Sequence, residues 1–242
     1  MKGFIILGLS VSSVLSAQTD STQIKEIQEV SFTRRLPVSK EIINVQKDLG
    51  SKNLGQDLPI LLKNQMSVVA TSDAGNGVGY TGFRIRGSAG TSINVMLNGV
   101  PYNDSESQGT FFVNIPDMAS SASQIVIQRG VGTSSNGTAS FGASVNILTK
   151  NPDEKPYVLG QFSAGSFNTM KTSFEAGTGK FLNNLLSVSA RYSTINSDGY
   201  IDRAFSKLNS YNINALFEKG NTKIRFLTFG GKEKTYQAWN GI

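Results

Sequence analysis

The chain has 242 residues, 38% hydrophobic and 17% charged, with a net charge of +6 and neither cysteine nor histidine. Those two zeros exclude disulfides, thiolate or imidazole metal sites, a catalytic thiol and a Ser-His-Asp triad. The 25 glycines, about one residue in ten against an average of ~7%, point to a turn-rich β protein, and the basic residues are too scattered to form a nucleic-acid face.

Residues 1–17, MKGFIILGLSVSSVLSA, combine Lys2, a short apolar run from Phe4 to Leu15 and a terminal Ala17. This is the pattern of a secretory signal peptide, and the run is too short to span a bilayer comfortably. No later segment is apolar enough for a transmembrane helix. An exported chain of this kind belongs in the periplasm, in the medium, or in an outer membrane as a β-barrel. Residues 18–36 are expected to be a mobile, polar segment. It contains one strand-like stretch, Ile24 to Thr33. Such a stretch suits pairing with another protein's sheet edge, and equally an ordinary first strand.

Leu54, Leu58, Leu61 and Leu62 recur at helical spacing. They predict a core-packed helix, with Asn53 or Asp57 as its cap and Pro59 in its first turn. Residues 71–82 form a glycine-rich loop containing Gly75-Asn76-Gly77-Val78-Gly79. A dinucleotide fingerprint would need a helix next. Phe83 to Gly87 instead alternates as a strand, so the loop is read as a polar surface loop. Residues 92–99 are a second strand, and residues 101–116 a long polar and aromatic loop. Two further strands follow, Gln124 to Arg129 and Ala143 to Thr149. Residues 37–150 are thus expected to form an α+β unit of short strands and small helices.

Beyond Pro156 the pattern changes. Val158, Gly160, Phe162 and Ala164 alternate with polar residues or Leu159, and the same two-residue period recurs through Met170–Ala176, Leu186–Tyr192 and Tyr211–Phe217. A fifth strand is expected from Thr222 to about Phe229. A meander of strands about ten residues long, apolar on one face and polar on the other, suits a transmembrane barrel better than a sandwich, whose strands run to about five or six.

Four segments in this order resemble the plug domain of TonB-dependent outer-membrane receptors. They are FRIRG at 83–87, INVMLNGVP at 93–101, QIVIQRG at 124–130 and SFGASVNILTK at 140–150. The resemblance implies an α+β plug (37–150) followed by antiparallel transmembrane β-barrel strands (151–242). About five strands of a barrel of about twenty-two would be present, so the chain is read as truncated. It implies a signal peptide and residence in the cell outer membrane. It further implies energised transport, such as siderophore uptake, of a scarce ligand: chelated iron, a corrinoid or an oligosaccharide. The partners would be the periplasmic domain of TonB, outer-membrane lipid and that small-molecule or oligosaccharide ligand. No nucleic acid, no cofactor and no enzymatic chemistry are implied. Glu29, Val30, Ser31, Phe32 and Thr33 sit where the family carries its TonB-binding box. Asp73, Asn76, Tyr80, Tyr102, Asn103, Asp104 and Gln108 sit on the loops that meet ligand. Arg86 and Arg129 match plug arginines that pair with barrel carboxylates. The alternative is a secreted or periplasmic ligand-binding module with a plug-like fold and no transport. A glycosidase-like pair, Asp104 and Glu106, is a weaker third reading, because the two are loop neighbours with no pocket implied.

Overall fold

The computed structural model describes residues 40–131 and 140–236. The expected signal peptide and the box-like stretch 29–33 lie outside them.

The first half builds two small sheets. Its strands are β1 (Lys40–Asn44), β2 (Val68–Ser72), β3 (Thr81–Ile85), β4 (Ile93–Leu97), β5 (Val100–Pro101), β6 (Ala122–Arg129) and β7 (Ala143–Thr149). Its helices are single turns, α1 (Leu58–Leu61) and α2 (Met118–Ser121), with further helical turns at Val45–Leu49, Gly50–Lys52, Gly90–Ser92 and Phe112–Asn114. The main sheet has the order β1-β6-β7-β4-β5, antiparallel except for the parallel pair β4–β7, and β2–β3 form a separate hairpin. Ile93, Asn94, Val95 and Met96 of β4 are all buried, as a strand covered on both faces requires.

One face of the main sheet carries Ile93, Val95, Ile125, Ile127, Val145 and Ile147, each at most 1% exposed. These pack with Leu58, Leu61 and Leu62 around α1, with Phe83 and Ile85 of β3, and with Phe112, whose ring lies 5.3 Å from that of Phe83. Each such side chain contributes about 1.5–3 kcal/mol on burial. The expected helix exists but is one turn long. Asp57 precedes it, Pro59 sits in its first turn, and Leu54 lies outside it and is exposed.

The second half is a single antiparallel meander of β8 (Pro156–Ala164), β9 (Met170–Phe181), β10 (Leu186–Ser197), β11 (Ser206–Lys219) and β12 (Thr222–Thr235), with sheet order equal to chain order. Register aligns the side chains in rows. One row is Gly160-Phe174-Tyr192-Tyr211-Gly230 and the next is Val158-Ala176-Ala190-Ile213-Thr228. Val158, Phe162, Phe174, Tyr192, Ile224 and Phe226 are exposed on this apolar face. The opposite face carries Lys171, Ser173, Arg191, Ser193, Ser210, Asn212 and Asn214, all buried against the first half. Among the described residues no helix is long and apolar enough to cross a membrane.

Candidate functional site

The loop between β2 and β3 is tightly built. Asp73 N–H donates to the Tyr80 carbonyl at 3.0 Å and Asp57 N–H to the Gly77 carbonyl at 2.9 Å. Ser72 Oγ accepts from Gly77 N–H at 3.0 Å. The connection between β10 and β11 lies against this loop. Tyr200 and Ile201 N–H both donate to the Ala74 carbonyl, at 3.0 and 3.4 Å, and Asn76 Nδ2 donates to Ser197 Oγ. The Tyr200 ring covers Gly75 and meets Phe167 edge-on, with centroids 5.3 Å apart. Gly75 has φ +73°, and a Cβ there would lie 3.0–3.1 Å from Tyr200 side-chain atoms. Gly75→Ala is therefore expected to destabilise by about 1–2 kcal/mol through left-handed strain and crowding. A lowered urea midpoint together with faster hydrogen exchange at Tyr200 and Ile201 would show it.

The two loops divide the expected ligand residues. Asp73 is exposed, whereas Asn76 spends its amide on Ser197 and its carbonyl on Val78 N–H, 3.2 Å away. Tyr80 packs on the small core of Val78, Val113, Ile195 and Leu208. In the second loop Asn103 is fully used by backbone. It donates to the Ile93 and Gln108 carbonyls and accepts from Val95 N–H, at 2.7–2.9 Å. Tyr102 packs on Phe229, and its burial pushes the phenol pKa up. Asp104 is exposed, and the Ser107 N–H and hydroxyl hold its carboxyl below the usual range. Glu106 is exposed on the same turn, its own N–H donating to Asp104 Oδ1. Gln108 is exposed, with φ +57°.

Arg129 finds a carboxylate within the plug itself. Its guanidinium is buried and binds Glu41 of β1, while Nε donates to the Met66 carbonyl at 3.0 Å. The carboxylate comes from its own sheet and not from a strand of the meander, because β1 lies beside β6. Arg86 is exposed, with φ +51°, and makes no ion pair among the described residues.

The ion lock between the halves has the opposite polarity. Asp117, which precedes α2 with φ +54°, is 1% exposed. Lys171 Nζ of β9 donates to its Oδ1 at 2.7 Å, and Arg191 NH1 of β10 to its Oδ2 at 2.5 Å. Ser120 Oγ donates to Asp117 Oδ1 and accepts from Lys171 and from Asn53 Nδ2, and Arg191 Nε donates to Ser121 Oγ at 2.8 Å. Burial alone would raise the carboxyl pKa. Arg191 and Lys171 outweigh that and hold it below the usual range. The sequence held one clue: Lys171 and Arg191 are large cations on an inward file otherwise rich in serine, and buried cations need a carboxylate.

This arrangement is a compact α+β body seated by a buried ion pair on the polar face of a meander whose other face is apolar. Residues 33–144 match the family model described as TonB-dependent Receptor Plug Domain. Over those residues the chain has a plug domain of the TonB-dependent receptor type.

Solved structures share both plug and meander. The pyoverdine outer membrane receptor FpvA from Pseudomonas aeruginosa PAO1, bound to pyoverdine, aligns with a TM-score of 0.63 at 14% identity, over 81% of this chain and 28% of that one. The copper transporter OprC aligns at 0.67 and 14%, over 82% and 32%. The ferric citrate transporter FecA, unliganded, aligns at 0.66 and 15%, over 83% and 32%. At this identity the likeness shows the fold, a plug followed by the first strands of a barrel. The chain spans about a third or less of the length of these structures. No curated protein matches the sequence. Among the described residues, no three His, Cys, Asp or Glu side chains gather as a metal site.

Proposed function

We propose that this chain is the N-terminal part of a TonB-dependent outer-membrane receptor that imports a scarce ligand: chelated iron, a corrinoid or an oligosaccharide. The observation that carries the reading is the seating of the plug by Asp117 on Lys171 and Arg191, on a sheet that turns aromatic and aliphatic side chains outward. An outward row of Phe174, Tyr192 and Tyr211 is what lipid contact favours, and a serine- and asparagine-lined inner face is what a polar lumen favours. The likeness to receptors for pyoverdine and ferric citrate and to a copper transporter supports the same reading. No bond is made or broken in it.

The ligand meets the plug from the side of the β2–β3 loop, where Asp73 is exposed next to Tyr200, and from the 102–110 loop through Asp104 and Gln108. Asn76, Tyr80, Tyr102 and Asn103 act by shaping those loops. The periplasmic domain of TonB pairs with Glu29 to Thr33 as an added strand and draws on the residues that lead into β1.

Growth of a strain lacking the gene on single iron, cobalamin or glycan sources identifies the ligand class. Deleting residues 24–33 is then expected to abolish uptake of that ligand while leaving its binding to cells intact. Unchanged uptake would refute the assignment of the box. Recovery of the protein in the periplasm or medium instead of the outer membrane would refute the receptor reading.

A further inference from the structure

The lock is unbalanced. One carboxylate on the plug serves two cations on the strand wall. Around those cations the wall carries hydrogen-bonding groups that no described residue engages. Ser193 follows Arg191 on the same face of β10, Ser210 is the register partner of Ser193, and Asn212 is the register partner of Arg191. Ser193 Oγ, Ser210 Oγ and Asn212 Nδ2 are buried without a hydrogen-bond partner among the described residues, at 1%, 5% and 7% exposure. All three can donate. The carboxylate in the same register row, Glu175, accepts from Tyr157 Oη at 2.5 Å. Both engaged nitrogens of Arg191 point to plug groups, Nε to Ser121 and NH1 to Asp117. If the plug moves, the guanidinium fork is freed together with Lys171 Nζ.

We infer that Lys171, Arg191, Ser193, Ser210 and Asn212 form an anion-receiving site on the strand wall, filled by the Asp117 carboxylate while the plug is seated and by an anionic oxygen group of the imported ligand, carboxylate or phosphate, when the plug moves. The inference rests on the transporter reading and names the ligand chemistry that suits it. Two cations with neighbouring donors match an anionic oxygen group, which an arginine fork binds in two-point fashion. A neutral sugar would leave both charges unanswered. By linkage, an anion that binds only the released wall draws the equilibrium toward release.

The site is tested directly by emptying it. Asp117→Ala opens a carboxyl-sized space beside both cations. Sodium formate, at fixed ionic strength, is expected to raise the melting temperature of this variant saturably in detergent. Formamide should not do so, and formate should not raise the melting temperature of wild type, whose site Asp117 already fills. No formate-specific rise, or an equal rise when Arg191→Met is added, overturns the site. If Asp117→Ala does not fold in plain buffer, its refolding yield in formate against formamide is the readout, and no formate-specific gain overturns it.

The ligand role is tested on wild type. Citrate or phosphate, against chloride at equal ionic strength, is expected to speed amide exchange in α2 several-fold, with ribitol inert and the effect lost in Arg191→Met. The more effective anion distinguishes carboxylate from phosphate. No effect of either anion overturns the ligand role. None of these measurements involves TonB, so a receptor with TonB-dependent uptake but no formate rescue would keep the proposed function and lose this site.

Discussion

Asp117→Asn is expected to lower the stability of the folded chain by about 3–5 kcal/mol, the usual cost of breaking a buried ion pair from one side. The substitution keeps the shape of the side chain, so no cavity contributes. What is lost is the single negative charge between Lys171 Nζ and Arg191 NH1, both of which stay buried under the plug. Ser120→Ala removes a hydroxyl from the same cluster and should cost only about 1 kcal/mol. Urea unfolding in detergent measures both. The losses should also be coupled: Asp117→Asn combined with Arg191→Met should cost less than the two apart, because the second change removes a charge that the first one stranded. A loss below ~1 kcal/mol for Asp117→Asn would mean that water reaches the two cations, and the lock would then not hold the plug.

The polarity of that lock was not legible in the sequence. An arginine ending a buried strand demands a carboxylate, and Arg129 has one in Glu41. Which carboxylate it takes depends on β1, a five-residue edge strand whose register is set by β6, 88 residues away in the Glu41–Arg129 contact. Asp117 carries no local signal, because its cations lie 54 and 74 residues further on. The hydrogen bonding of the loop asparagines was hidden for a different reason. Asn76 and Asn103 stand in loops where ligand contacts are expected, yet short amide side chains satisfy nearby backbone first, and Asn103 does so three times. The meander was legible because its period of two persists over long strands. The pattern alone carries the last strand only to about Phe229, where Gly230-Gly231 interrupts the side-chain period. In the structure β12 runs through to Thr235, and Gly230 lies under the ring of Tyr211, its cross-strand partner. Gly160 pairs with Phe174 in the same row. Glycine there makes room for an aromatic ring on the outward face and does not end the strand.

Stability should fall as the pH rises from about 4 to about 7, and Asp57 is the reason. This carboxyl precedes α1, is 3% exposed, and accepts from Thr81 Oγ1 at 2.9 Å. Burial pushes its pKa up from 3.8 to about 7. The Thr81 hydroxyl and the Gly79 N–H oppose the shift, and the nearby charges of Asp117 and Glu233 add to it. The folded chain therefore holds this proton more tightly than the unfolded chain does. The contribution is complete below the unfolded pKa and is lost as the pH passes through the folded one, by roughly 4 kcal/mol in all. Asp117 acts in the opposite sense and in a different window. Its depressed pKa makes its contribution vanish only as acid titrates it. Asp57→Asn keeps an acceptor for Thr81 and carries no proton to lose. Its urea midpoint should be nearly flat between pH 5 and pH 8 and should exceed that of wild type at the alkaline end. Glu233→Gln should leave the wild-type slope in place but shift its midpoint to lower pH, since one of the like charges is gone. Equal slopes for wild type and Asp57→Asn would mean that the carboxyl is hydrated and ionised in the folded chain. The root of the β2–β3 loop would then not respond to pH near neutrality.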